Sequence, residues 1–481
     1  MSVFVLGTAS HVGKSTVVAA LCRVLSNRGI TAAPFKAQNM SLNSFVTQDG
    51  AEIGIAQAEQ ASAARLEPEA DMNPILLKPT GERVSQVVLM GRPYRDIPIL
   101  DYYQETEVLL SHAVRAAERL MNRYGHIVAE GAGGAAEINL YDRDIANIRI
   151  ERELGLPIIL VADIERGGVF AQVYGTLELL PPDIRPLVMG IIINKFRGDP
   201  ALFEDGIRII EDLCGVPVLG VIPFISLPLP SEDSLSIEDK KACDHPIRIA
   251  VIRLPQISNF TDFESLERSA MVVYVRPGLP LAGYDCIIIP GTMNTVDDLR
   301  IVNESGCAAE IHAARERGVP IIGICGGYQM LGLEVIDEGV EPSYVHYEGL
   351  GLLRTVTRIS KYEKTTERVT RTASAVGPIL PSVGTVKGYE IQADKTERTG
   401  DDEAFYGEGT VSQDGLVIGT YLHGLFENSS AANALLSFLY AQKGLEYVPT
   451  DEKTWHDPYE HLAAGIERYV KLDPILTLFE T

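Results

Sequence analysis

Strand-sized apolar runs rich in Val and Ile recur along this 481-residue chain, alternating with stretches of helical periodicity. In the first half they fall at 3–6, 127–129, 157–162, 188–193 and 218–222; in the second at 248–251, 285–289, 320–324 and 416–421. A strand that is apolar at every position is buried on both faces, so the pattern predicts mostly parallel sheets with helices on either side. A chain this long exceeds what one hydrophobic core organises, which implies two or more domains. The segment 225–246, ISLPLPSEDSLSIEDKKACDHP, breaks the rhythm with Pro, Ser and acids and reads as a linker. The expected division is an N-terminal domain at 1–230, a linker at 231–246, a second α/β domain at 247–440 and a C-terminal extension at 441–481. Short Thr- and Val-rich segments between 354 and 400 predict antiparallel hairpins inserted in the second domain, and a helix is expected to begin near Asp457.

The formal net charge is −23, which disfavours nucleic acid and anionic membranes as partners because their phosphates would be repelled. No apolar run approaches the length of a membrane span, and the first residues carry no basic, apolar, cleavable leader. Six cysteines lie far apart with no CxxC pair, a pattern that implies reduced thiols and a cytoplasmic location.

The run 3–6 leads into Gly7-Thr-Ala-Ser-His-Val-Gly13-Lys14-Ser15-Thr16 and then a helical pattern. A glycine-rich turn at a helix N-terminus presents N–H groups and a positive dipole end to phosphate. Gly13, Lys14, Ser15 and Thr16 are therefore ATP-binding candidates, with Lys14 reaching the outer phosphates and Ser15 or Thr16 a magnesium ligand. Glu130 ends the strand of Ile127-Val-Ala-Glu130-Gly and is the second magnesium candidate, at the sheet edge where such folds bind ligands. Asp163 ends another strand in the same form and is a further candidate for metal or substrate. Asn194, in Ile193-Asn194-Lys195, is a candidate reader of the base, and Lys36 a cation for phosphate charge.

In the second half, Gly323-Ile324-Cys325-Gly326-Gly327-Tyr328-Gln329 places a cysteine between glycines where a strand turns into a helix. Such an elbow exposes a nucleophile, and the N–H of Gly326 lies where an oxyanion would form. His423, in Thr420-Tyr-Leu-His423-Gly, also follows a strand and is the candidate base for acyl transfer through a thioester. Gly291, in the turn Ile289-Pro-Gly291-Thr292, is the candidate for the second oxyanion donor.

GICGGYQ with a downstream YLHG resembles class I glutamine amidotransferase domains, which implies a flavodoxin-like fold and ammonia release from glutamine at Cys325 and His423. Gln329 is then expected to contact glutamine. Most members of that family carry glutamate two residues after the histidine; here Leu425 stands there, and Glu390 is the candidate to orient His423 instead. The first half resembles dethiobiotin-synthetase-like ATPases, whose longer phosphate loop matches the five residues between Gly7 and Gly13.

The fused chain resembles cobyric acid synthases most closely, through Lys36-Ala-Gln38-Asn39-Met40-Ser41-Leu42-Asn43-Ser44, the segment 72–79, Glu130-Gly-Ala-Gly, the segment 192–199 and Arg253-Leu-Pro-Gln-Ile-Ser258-Asn259-Phe-Thr-Asp262-Phe. That resemblance implies ATP- and glutamine-dependent amidation of a corrinoid, with Lys36, Gln38, Asn39, Ser41 and Asn43 at the substrate and magnesium at the phosphates. Met293 and Gln392 depart from the family pattern, which has lysine and histidine there. The alternatives are cobyrinic acid a,c-diamide synthase, against which the QNMSLNS segment argues, and a MinD/ParA-like regulatory ATPase. The latter is disfavoured by the missing early lysine in Gly7-Thr8-Ala9-Ser10 and by the appended cysteine domain.

Overall fold

The computed structural model describes residues 2–480 apart from 82–83, 99–101, 103, 226–244, 338–344, 360–364, 393 and 450–456. The linker expected at 231–246 therefore lies, up to residue 244, outside the described residues.

Six parallel strands form the first sheet: β1 (Val3–Gly7), β2 (Ala32–Phe35), β3 (His126–Glu130), β4 (Ile158–Asp163), β5 (Val188–Phe196) and β6 (Val218–Pro223). Their order is β6-β5-β4-β1-β3-β2, so the strand feeding the Gly7–Gly13 loop is central and flanked by those ending in Glu130 and Asp163. Along β1, Phe4 and Leu6 pack into one apolar layer and Val3 and Val5 into the other. Both faces are covered, as the unbroken apolar run predicts.

The second sheet contains β7 (Arg248–Ile252), β8 (Met271–Val275), β9 (Cys286–Ile289), β10 (Ile321–Ile324), β11 (Thr410–Val411) and β12 (Val417–Thr420), in the order β8-β7-β9-β10-β12-β11. All pairings are parallel except the edge pair β11–β12. The expected hairpins are present: Thr365–Thr372 pairs antiparallel with Thr385–Gln392, which pairs in turn with Leu422–His423. Among the described residues no helix is long and apolar enough to cross a membrane.

Two features were not anticipated. The strands Ile75–Gly81, Val84–Leu89 and Arg92–Pro98 form an antiparallel meander, which joins the short strand Gln38–Met40. Its tight turn has φ 51° at Met90 and 73° at Gly91. Two left-handed residues in succession match the twist of a hairpin.

The C-terminal extension, read as a separate element, returns to the first sheet. Asp457 caps helix Pro458–Tyr469 by accepting from the Tyr459 N–H at 2.9 Å. The helix buries Leu462, Ala463 and Ile466 in the same apolar layer as Val3 and Val5, along with Ile475 and Phe479 further on. Each large aliphatic side chain so buried contributes about 2 kcal/mol before entropy, and Arg23 adds an ion pair to Asp457 at 2.9 Å.

Candidate active sites

The first site gathers at the carboxyl ends of β1 and β3. Helix Lys14–Asn27 starts at Gly13, whose φ of 98° only glycine adopts readily. Lys14 Nζ donates to the carbonyls of Ala9 (3.1 Å) and Gly133 (2.6 Å), drawing the loop around its ammonium. Ser15 Oγ donates to Glu130 Oε1 at 2.7 Å, and Lys36 Nζ lies 3.2 Å from the same oxygen. Gln60 Nε2 donates to Glu130 Oε2 at 2.5 Å. The magnesium candidates Ser15 and Glu130 are thus in contact. Hard oxygen donors beside a phosphate loop fit magnesium, which takes oxygen ligands from few side chains and completes its shell with phosphate and water. Such a site needs no larger cluster of ligating side chains, and none of three or more is found among the described residues.

Asn194 and Asp163 serve the loop from behind. Asn194 Nδ2 donates to the Val12 carbonyl at 2.9 Å, and Lys195 Nζ bridges the His11 carbonyl (2.6 Å) and Asp163 Oδ2 (3.0 Å). Asp163 Oδ1 also accepts from the Glu165 N–H at 2.7 Å. Asn194 also borders a largely apolar cleft lined by Gly13, Thr16, Pro223 and Phe224, and by Leu462 and Ile466 of the returning helix.

The acceptor candidates divide. Gln38 is half-buried, its Oε1 held by the Tyr102 hydroxyl. Asn39, Ser41 and Asn43 are buried and bonded within the protein. Asn39 donates to Gln57 Oε1 at 3.0 Å, Ser41 Oγ to the Asn43 carbonyl at 3.2 Å, and Asn43 Oδ1 accepts from the Phe260 N–H at 3.0 Å. Their polar groups are engaged within the protein and shape this region.

At the second site Cys325 has φ 51° and ψ −112°, a conformation that costs a side-chain-bearing residue about 1–3 kcal/mol and clusters at active sites. It is half-buried, whereas the other described cysteines are buried. Burial pushes the thiols of Cys22, Cys286 and Cys307 up, the last to about 11. Those thiols are core residues; Cys325 alone among them meets a base. A Cβ on Gly326 would come within 2.6 Å of Thr292, and one on Gly291 within 3.2 Å of His423 Cε1. Both oxyanion candidates therefore lie against the Cys–His pair, and the close approach explains why neither position carries a side chain.

Asp262 orients His423. Its Oδ2 lies 2.7 Å from Nδ1 of the imidazole, and its Oδ1 accepts from the Gly424 N–H at 2.9 Å. Burial pulls the imidazole down, but the charge and hydrogen bond of Asp262, with a further hydrogen bond to Cys325, raise it from 6.5 to about 10. The result is an imidazolium whose other nitrogen serves the sulfur. Glu390, expected in this role, pairs with Arg371 at 2.7 and 2.9 Å. Tyr389 and Glu390 lie opposite His423 and Leu422 in register, so pleat alternation puts Tyr389 on the histidine face and turns Glu390 away.

Gln329 is buried as well: its Oε1 accepts from Thr295 (2.6 Å), and its Nε2 donates to Asp394 (2.8 Å) and the Tyr421 hydroxyl (3.2 Å). These bonds brace the helix that follows the Cys325 elbow. The side chain of Gln392 lies outside the described residues, and Met293 follows the Gly291–Thr292 turn with its N–H bonded to the Gln256 carbonyl at 3.1 Å.

Residues 3–232 match the CobQ/CobB/MinD/ParA nucleotide binding domain, and residues 248–431 the CobB/CobQ-like glutamine amidotransferase domain. The chain is 63% identical to a probable cobyric acid synthase of Methanoculleus marisnigri, over 100% of this chain and 99% of that one. It is 63% identical to one of Methanoregula boonei over 100% of both, and 54% identical to one of Methanosarcina barkeri over 98% of both. This chain belongs to the cobyric acid synthase family, with a nucleotide-binding domain followed by a glutamine amidotransferase domain.

Proposed function

We propose that this enzyme amidates the b, d, e and g carboxylates of adenosylcobyrinic acid a,c-diamide to give adenosylcobyric acid in cobalamin biosynthesis, in the cytoplasm, using ATP and glutamine. Cys325 Sγ attacks the glutamine carboxamide carbon, and the N–H groups near Gly326 and Gly291 stabilise the oxyanion. His423 gives its proton to the departing ammonia, and water then hydrolyses the thioester to glutamate. In the N-terminal domain an acceptor carboxylate oxygen attacks the γ-phosphorus of ATP, and ADP leaves. The acyl phosphate so formed is needed because a carboxylate at neutral pH resists ammonia. Ammonia adds to the acyl carbon, inorganic phosphate leaves, and an amide remains. Lys14 offsets charge on the transferring phosphoryl group, and magnesium, held by Ser15 and Glu130 with the phosphates, would supply further screening.

The observation that carries this reading is the strained Cys325 elbow with its Asp262-bound His423, joined in one chain to a phosphate loop whose Ser15 meets Glu130. The test is mass spectrometry of the corrinoid products formed with Mg-ATP, adenosylcobyrinic acid a,c-diamide and either glutamine or ammonium. Wild type should add amides stepwise from either nitrogen source, and Cys325→Ala from ammonium alone. Absence of amidation by wild type from both sources would sink the acceptor assignment.

A further inference from the structure

Asn259 sits beside the glutaminase histidine in an unusual state. Its φ of 49° is left-handed, and its Nδ2 lies 3.4–3.5 Å from both ring nitrogens of His423. On the imidazole, too, the Tyr389 ring stacks at 5.2 Å with an 18° tilt. What holds both of these neighbours belongs to the other domain. The Asn259 N–H donates to the Leu42 carbonyl at 3.3 Å, and its Oδ1 accepts from the Ser44 N–H at 2.9 Å. Asn43 Oδ1 accepts from the Phe260 N–H at 3.0 Å, and the Tyr389 hydroxyl donates to the Ser44 carbonyl at 3.0 Å. Asn43, Ser44 and Asn259 are all buried.

We propose that residues 42–44 of the N-terminal domain are a working part of the glutaminase centre, holding Asn259 and Tyr389 as positioning residues against His423. This rests on the glutaminase reading of the second site. The loop is anchored from its own side: Lys78 Nζ donates to Ser44 Oγ at 3.1 Å and forms a buried ion pair with Glu52. Asn259 keeps its left-handed backbone because three hydrogen bonds from this loop fix it and the residue after it, the over-determination a strained residue requires. A catalytic imidazole displaced by an ångström loses roughly a hundredfold in rate, so removal of these tethers is felt in turnover rather than in glutamine binding.

The test uses full-length enzyme and measures glutamate release from glutamine against pH, with and without Mg-ATP and the corrinoid. Asn43→Ala removes the acceptor for Phe260 N–H; Tyr389→Phe removes one tether while keeping the stacked ring. Glutaminase kcat should fall at least about tenfold in the first and about threefold in the second, KM for glutamine staying within about threefold. The histidine limb of the pH profile should move in both, which lost stability alone would not cause. Both variants within twofold of wild-type kcat, with an unmoved pH profile, overturn the proposal. If Asn43→Ala does not fold, Tyr389→Phe decides by the same criterion. Wild type that releases glutamate but amidates no corrinoid would reject the acceptor reading and leave this one standing.

Discussion

Replacing Asp262 with asparagine tests the least expected part of the site. The carboxylate makes two bonds, one oxygen to His423 Nδ1 at 2.7 Å and the other to the Gly424 N–H at 2.9 Å. Asparagine has a single acceptor oxygen, so one of the two donors faces an NH2 group and is left unsatisfied, at about 1–3 kcal/mol. The larger effect is electrostatic. The rise of the imidazole from 6.5 to about 10 corresponds to roughly 5 kcal/mol in favour of the charged ring. Burial opposes that rise and survives the substitution, as does the raising effect of Cys325, so in Asp262→Asn the imidazole should titrate below its wild-type value. A larger fraction of the ring would be neutral at pH 7, and that fraction cannot protonate departing ammonia.

The sign for stability follows. A raised imidazole stabilises the fold fully below the unfolded value near 6.5, and that contribution is lost as pH rises through about 10. The variant should lack it throughout. Glutaminase kcat should fall roughly 10²–10⁴-fold, the usual scale of lost general acid–base catalysis. Steady-state glutamate release between pH 6 and 10 measures the rate, and NMR of 15N-labelled histidine follows the ring. Turnover within threefold of wild type, or a His423 midpoint still above pH 9 in the variant, would refute the orienting role of Asp262.

Two further outcomes are expected. Lys14→Ala removes the ammonium that draws the loop to the Ala9 and Gly133 carbonyls, and should lower both glutamine- and ammonium-driven amidation by about 10²-fold or more; equal loss from both nitrogen sources places the defect at ATP. Glu151 is buried, its two carboxylate oxygens have no hydrogen-bond partner among the described residues, and burial pushes its carboxyl up to about 8. Its contribution to stability is fully present below about pH 4.5 and lost as pH rises through about 8, so Glu151→Gln should gain on wild type by up to about 5 kcal/mol between pH 5 and 9 in urea titrations.

Much of the geometry of the two candidate sites was legible because it is local in sequence. The elbow needs Cys325 between a strand and a helix with glycine next to it, and the phosphate loop needs Gly13, Lys14 and Ser15 at one junction. Contiguous residues state those requirements themselves. The antiparallel meander leaves a weaker sign, a Met90-Gly91 turn between alternating segments, amid neighbouring runs of α/β character.

The sequence by itself determined two parallel-sheet domains, since unbroken apolar strands demand cover on both faces, and it placed the proposed nucleophile Cys325, its proposed partner His423 and the glycine-rich loop at strand ends. Only the tertiary structure decided what surrounds them. Asp262 lies 161 residues before His423, and no spacing rule joins a carboxylate to a histidine across a sheet. Glu390 looked suitable until the pleat turned it toward Arg371. The partners that engage the carboxamides of Asn39, Asn43 and Gln329 within the protein come from distant segments. The last residues cover the first strand, and residues 42–44 reach the second active site. Each of these depends on which surfaces meet after both sheets have formed, and side-chain chemistry read one residue at a time carries no record of that.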